Sequence, residues 1–156
     1  MLGDGNGWVH GDGGAKYWGL HGAAGLFLRA GGTVLVQHRA TWTAQGGTWG
    51  IPGGARDSHE TPAEAALRET VEECGIDPSR VAVERELVTM EVPGWSYTTV
   101  IARTRDDAPL DVVPNEESDE LRWVLFDDLV HLPLHPGFAA SLETVLAAVG
   151  HTGTHD

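Results

Sequence analysis

Two short apolar runs, residues 23–29 and 33–38, flank Ala30-Gly31-Gly32, and this pattern predicts two strands joined by a tight turn. Ahead of them, residues 1–19 are rich in glycine, with Trp8 and Trp18 set among loop formers, and read as a loop or short hairpin covering one edge of the domain. Gly5-Asn6-Gly7 is not a dinucleotide fingerprint, because no strand precedes it and no helix follows. Residues 41–56 read as a loop in which Gly46-Gly47 and Pro52-Gly53-Gly54 give the backbone unusual dihedral freedom.

The clearest helix comes next. Thr61 can cap it, Pro62 suits its first position, and Glu64 completes a Thr-x-x-Glu capping box. Ala63, Ala66, Leu67, Thr70, Val71 and Cys74 recur at helical spacing and are expected to face the core, and Gly75 is placed to end the helix. Three β-rich runs follow, residues 81–92, 96–103 and 121–126, with an acidic, proline-containing loop at 106–119. A second helix is expected over residues 136–149, with Phe138, Leu142, Val145, Leu146 and Val149 on one face. Residues 151–156 read as a frayed tail. Without internal repeat or linker, residues 1–150 are expected to form a single mixed α/β domain.

Composition narrows the function classes. A chain of 156 residues with 41% hydrophobic and 21% charged residues fits one soluble domain. Its apolar stretches are interrupted and too short to span a membrane, and the N-terminus lacks the basic and apolar regions of a signal peptide. The single cysteine, Cys74, excludes an internal disulfide and fits a reducing cytoplasm; buried and in acidic surroundings, it is expected to be inert. His151 and His155 have metal-ligand spacing but no plausible partners, so a zinc site is not expected. A formal charge of -13 disfavours long nucleic acid as a partner and favours divalent cations, provided the carboxylates are gathered in one place.

They are gathered on the first helix. Glu69, Glu72 and Glu73 are related by i, i+3 and i+4 and emerge on one face within a turn. Like-charged neighbours so placed cost roughly 0.2–0.5 kcal/mol each. They also occupy the last turn, where the helix dipole disfavours negative charge. Local rules are broken in an otherwise carefully capped helix, a conflict expected where function overrides stability. Mg²⁺ resolves it, because it takes oxygen ligands from carboxylates, water and substrate phosphates and could neutralise a diphosphate.

Read outward, the stretch Gly54-x5-Glu60-x7-Arg68-Glu69-Thr70-Val71-Glu72-Glu73-Cys74-Gly75-Ile76 resembles the Nudix signature, with Thr70 in place of a bulky aliphatic as its one departure. The resemblance implies an α/β/α sandwich with a mixed β-sheet between helices, and hydrolysis of a diphosphate linkage in a nucleotide-type small molecule. It implies Gly53 (through its carbonyl), Glu69, Glu72 and Glu73 as metal ligands, with Mn²⁺ a possible substitute for Mg²⁺. It puts Glu69, Glu72 and Arg68 in the catalytic set: Glu69 is the first choice for activating water, and Arg68 pairs with Glu60 to orient the loop and helix.

Trp49-Gly-Ile-Pro-Gly-Gly resembles the lead-in of MutT-type enzymes, which sanitise oxidised nucleotides such as 8-oxo-dGTP. The segments 22–26, 37–40, 46–50, 95–100 and 132–139 extend this likeness to MutT paralogues of actinobacterial, mycobacterial type. In those enzymes a further metal glutamate lies six residues before a tryptophan, which here is Glu117 before Trp123, with Glu116 beside it. Arg39 resembles a phosphate-holding arginine. Trp49, Trp95 and Tyr97 are candidates to stack on a base. His135 is a candidate either to bond a base edge or to cap the final helix; MutT carries a base-reading asparagine near this position, so base recognition differs here. The expected reaction gives a nucleoside monophosphate and pyrophosphate. The same box also serves enzymes of ADP-ribose and other nucleoside diphosphate-X compounds, some with a proline after the box, as Pro93 is here. A binding-only Nudix module is disfavoured because every charged position of the box is kept.

Overall fold

The computed structural model describes residues 3–43 and 45–151. Apart from His151, the tail read as frayed therefore lies outside the described residues. The first strands, β1 (Trp8–His10) and β2 (Lys16–Trp18), make an antiparallel hairpin of their own. After them come β3 (Ala23–Ala30), β4 (Thr33–Arg39), β5 (Trp49–Gly50), β6 (Gly53–Ala55), α1 (Pro62–Cys74), β7 (Val81–Val92), β8 (Trp95–Thr104), β9 (Ser118–Leu125) and α2 (Pro136–Ala148).

Among the described residues β3 to β9 form one mixed sheet. The strand β3 runs parallel to β8, from Ala23 opposite Tyr97 to Arg29 opposite Arg103, and every other pairing is antiparallel. Its near-continuous apolar sequence follows from burial on both faces. Leu26, Leu28, Leu35, Val100 and Ala102 pack with Ala65, Ala66 and Cys74 of α1. The alternate residues Phe27, Val34, Val36 and Ile101 pack with Phe138, Leu142 and Val145 of α2. The period-two alternation of strand side chains thus sorts one apolar run into two cores, giving a sheet sandwiched between helices.

The first helix is built as its sequence predicts. The Thr61 hydroxyl accepts from Glu64 N, the Glu64 carboxylate accepts from Thr61 N at 2.8 Å, and Gly75 takes the left-handed conformation with φ 67°. Thr70 is fully buried, and its hydroxyl donates to the Ala66 carbonyl at 2.7 Å, so the departure from an aliphatic leaves no unsatisfied polar atom.

Three elements differ from the expectation. The 41–56 loop contains β5 and β6, too short to carry a hydrophobic period. The strand β9 starts at Ser118 rather than at Leu121, because Arg39 and His38 of β4 pair with Ser118 and Glu120. Phe126, expected at the end of a β-rich run, instead opens a 3₁₀ segment, Phe126–His131, that seats Phe126 and Leu129 in the α2-side core.

Candidate active site

The site is assembled where β6 meets α1. Pairing of β6 with β3 sets Gly53 opposite Gly25 and Gly54 opposite Ala24. A Cβ on Gly54 would collide with the Glu69 carboxylate, so glycine is what lets the strand and the helix carboxylate approach this closely.

Arg68 locks the helix to the preceding loop. Its Nε and Nη2 donate to the two Glu60 carboxylate oxygens at 2.7 and 2.8 Å, and Nη2 also donates to the Ala55 carbonyl at 3.1 Å. The bidentate pair holds the Glu60 carboxyl below its ordinary range and the Arg68 guanidinium above its own. On its other side, Arg68 Nη1 lies 2.8 Å from Glu69 Oε1 and 3.7 Å from Glu72 Oε1. Arg68, included in the catalytic set by resemblance, is therefore placed as an orienting residue between loop and helix.

The carboxylates crowd behind it. Burial pushes Glu69 up to about 7 against the pull of Arg68, with the hydrogen-bonded Glu72 adding to the rise. Glu73, only 7% exposed, is pushed up to about 8, first by burial and then by the charges of Glu69 and Glu117, while hydrogen bonds from Gln37 and the Gly53 N–H oppose the rise. Gly53, Glu69, Glu72, Glu73 and Glu117, the last of them remote in sequence, are thus brought into one electrostatic neighbourhood. The donors are all hard oxygens, and two of the carboxyls are destabilised as anions by their surroundings. That chemistry fits a divalent cation of the Mg²⁺ type and not a thiolate- or imidazole-seeking metal.

Asp57, His59 and Glu60 form a second group whose ligand atoms lie within 4.8 Å of one another. Glu60 is committed to Arg68, and Asp57 accepts the Gly5 N–H at 2.9 Å, so these carboxylates serve the protein frame.

Two residues of the site, Gln37 and Asp57, are not foreseen from the sequence. Gln37 is 2% exposed, and its Nε2 donates to Glu73 Oε1 at 3.1 Å and to Ser118 Oγ at 2.6 Å. Its signal in the sequence is a polar residue ending the apolar run of an interior strand, which by itself points to no partner.

The five substrate candidates separate. Arg39 ends β4, and its charge is felt by both Tyr97 and His135. Tyr97 lays its hydroxyl over Gly25, where a Cβ would collide with it; burial and Glu73 raise its pKa, with Arg39 opposing. His135 is the N-cap of α2, its Nδ1 accepting from Gly137 N at 3.0 Å, and burial followed by Arg39 lowers its pKa. The neutral ring with Nδ1 occupied as an acceptor must carry its proton on Nε2.

Two candidates are engaged in packing. Trp49 is 5% exposed in the α2-side core, with His38 stacked on it at 4.6 Å and the Arg122 guanidinium 4.8 Å from its ring centroid, so it packs the wall and is not an open stacking platform. Trp95 is stacked by Tyr17 at 4.9 Å and donates its Nε1–H to the Trp18 carbonyl at 3.1 Å, so it docks the N-terminal hairpin. Pro93, a possible marker of ADP-ribose enzymes, sits with Gly94 (φ 83°) in the tight turn joining β7 and β8, which accounts for it structurally.

Known proteins share this architecture. A Mycobacterium tuberculosis protein named "Putative 8-oxo-dGTP diphosphatase 3" is 56% identical over 95% of this chain and 72% of its own length. The crystal structure of RenU, a Nudix hydrolase from M. smegmatis, matches with a TM-score of 0.89 at 52% identity, covering 94% of this chain and 96% of that one. A Bifidobacterium longum protein named "Nucleoside triphosphate pyrophosphatase/Nudix hydrolase fusion protein" is 40% identical over 92% of this chain and 33% of its own. The NUDIX domain model matches residues 19–146, which span the loop, helix and sheet described above. This chain belongs to the Nudix family, hydrolases of diphosphate linkages.

Proposed function

We propose that this chain is a Mg²⁺-dependent pyrophosphohydrolase of nucleoside triphosphates, preferring 8-oxo-dGTP or a related oxidised guanine nucleotide and releasing a nucleoside monophosphate and pyrophosphate. The observation that carries the reading is the buried Glu73 carboxylate, held by Gln37 among the charges of Glu69 and Glu117 beside Gly53. Glu69, Glu72, Glu73, Glu117 and the Gly53 carbonyl would hold the cation, with Mn²⁺ able to replace Mg²⁺. Bound there, the cation supplies charge neutralisation at the diphosphate and orientation of the attacking water.

The protein's own groups do the rest. Glu69, its carboxylate partly buried, would take the proton from water. Arg68 fixes the direction of that carboxylate through its 2.8 Å contact. Arg39 offers a positive charge to phosphate, and the Tyr97 hydroxyl with the His135 Nε2–H offers hydrogen-bonding groups to base or sugar oxygens. The oxidised-guanine preference rests on the name of the 56% identical relative and on this donor-lined wall. No helix is long and apolar enough to cross a membrane among the described residues, and a cytoplasmic place of action is proposed with the substrate.

The test is product release from 8-oxo-dGTP, dGTP and ADP-ribose in Mg²⁺, separated by chromatography. Preferred turnover of 8-oxo-dGTP to monophosphate and pyrophosphate supports the reading. Preferred turnover of ADP-ribose overturns the substrate while leaving the carboxylate chemistry standing.

A further inference from the structure

Residues 3–18 precede the first residue matched by the family model, yet they are fastened to the loop that feeds α1. Gly5 N donates to Asp57 Oδ1 at 2.9 Å in a buried contact, and the Asp4 carboxylate accepts from both Ser58 N, at 2.7 Å, and Ser58 Oγ. A Cβ on Gly3 would collide with the Asp57 carboxylate, and one on Gly5 with the Arg56 carbonyl, so this approach needs glycine. The return of the segment is pinned as well, by Leu20 N to Gly5 O at 2.8 Å and Gly19 N to Gly7 O at 2.7 Å. Arg56 N then donates to Gly22 O at 2.9 Å, tying the same loop to the end of the segment. At its middle, the hairpin is held by Trp95 through the Tyr17 stack and the Trp18 carbonyl.

Asp57 is where this fastening meets the site. It is 8% exposed, its N–H donates to Glu60 Oε1 at 3.0 Å, and its Oδ2 lies 3.7 Å from Arg68 Nη2. Arg68 therefore stands between two acidic sets: Asp57 and Glu60 on the loop, Glu69 and Glu72 on the helix. The two sets hold it evenly, with Glu60 and Glu69 at 2.7 and 2.8 Å and Asp57 and Glu72 at 3.7 Å each. Whatever holds it toward the loop leaves the Glu69 and Glu72 oxygens freer for a cation, and whatever releases it lets it compete with that cation for the same oxygens.

We propose that the N-terminal segment is a strap that fixes Asp57, and that Asp57 is a positioning residue whose charge offsets the pull of Glu69 and Glu72 on Arg68, so that a cation meets less competition at those carboxylates. The proposal rests on the reading of Glu69 and Glu72 as cation ligands. It assigns the glycine-rich segment a role in cation affinity that neither the signature box nor the helix supplies.

Mn²⁺ binding to the full chain, followed by electron paramagnetic resonance without nucleotide, tests it. Asp57→Asn keeps an oxygen for the Gly5 N–H but removes the charge facing Arg68. Gly5→Ala keeps Asp57 but pushes the strap off the Arg56 carbonyl. Both are expected to weaken Mn²⁺ binding by about tenfold, the low end for loss of a group that orients metal ligands, while saturating Mn²⁺ restores kcat and leaves KM near wild type. If Gly5→Ala does not fold, Asp4→Ala combined with Ser58→Ala loosens the strap from its exposed side and carries the same expectation. Wild-type Mn²⁺ affinity in folded Asp57→Asn overturns the role of Asp57, and wild-type affinity in the folded strap variants overturns the strap. A wild-type chain that binds no Mn²⁺ overturns the ligand reading itself, and the proposal with it.

Discussion

The carboxylate face and the proposed nucleoside-facing wall of this protein are specified in different ways. The first is written almost contiguously: residues 53–75 supply the glycines, the Arg68–Glu60 pair and three of the acidic groups on one loop and one helix. The second is collected from the end of β4, the start of β8 and the cap of α2, with Arg39, Tyr97 and His135 joined only by the sheet and its crossovers. A helix fixes relative side-chain positions by spacing alone, whereas strand and cap residues depend on register and on which face each side chain takes. The carboxylate face should therefore be brittle to single isosteric changes, and the wall should yield in smaller steps.

The largest effect is expected from Glu73→Gln. The amide keeps the shape but removes a buried charge beside Glu69 and Glu117, so turnover should fall by about 10³-fold, on the scale of losing a preorganised electrostatic group. The fold should survive, because relief of repulsion offsets the altered hydrogen bond from Gln37. Steady-state kinetics with thermal melting in EDTA checks both halves, and near-normal turnover would sink the assignment of Glu73 to the reacting face.

The same crowding should show in the pH dependence of stability without metal. Folded Glu69 and Glu73 have pKa values raised to about 7 and about 8, above the ordinary glutamate value of 4.5. For acids with raised folded values, the protonated form favours the native state. Their stabilising contribution is thus full below the unfolded value and is lost as pH rises through the folded ones. The melting temperature in EDTA should accordingly decline as pH is raised from about 5 to about 8.5, and saturating Mg²⁺ should flatten that decline. An EDTA profile that is flat or rises across this window would show that the carboxyls are not destabilised as anions.

The contrast between the two regions also governs how far each is legible in the sequence. The box residues are legible because their placement follows from helical spacing and from an arginine eight positions after its glutamate. The burial of Glu73 is not, since a helix pattern with glutamate at that position reads as a solvated face until Gln37 and Ser118 are brought over it by β4 and β9. The packing of Trp49 and Trp95 is not legible for a related reason: aromatic identity does not say which ring faces are already covered, and here His38 stacks on the first and Tyr17 on the second. The strands β5 and β6 are set by tertiary pairing rather than by local pattern.

Between the two regions stands Gln37, a wall-strand residue that serves the carboxylate face. Gln37→Leu should remove the 3.1 Å bond to Glu73 and leave Ser118 Oγ without that donor. A loss of about tenfold in kcat with little change in KM is expected for a group that only orients a ligand. Rescue of kcat by Gln37→Asn would not be expected, because the shorter chain cannot span the same distance. An equal rise in KM would instead assign Gln37 to substrate contact.

At the wall the expected effect is on selectivity rather than on rate. His135 caps α2 through Nδ1 and presents Nε2–H, two roles that one substitution can separate. Serine is a strong N-cap and can accept from Gly137 N, but its side chain is too short to reach where Nε2 does. His135→Ser should therefore keep the melting temperature close to wild type. Its preference for 8-oxo-dGTP over dGTP should fall by about tenfold, the scale of one hydrogen bond of about 1.4 kcal/mol used in discrimination. His135→Ala should show the same loss of preference together with about 1 kcal/mol less stability, from the missing cap. If both variants keep the wild-type preference while only the alanine variant melts earlier, His135 is a cap and nothing more. Base discrimination would then rest on Tyr97 and Arg39, and the wall would be simpler than the carboxylate face it opposes.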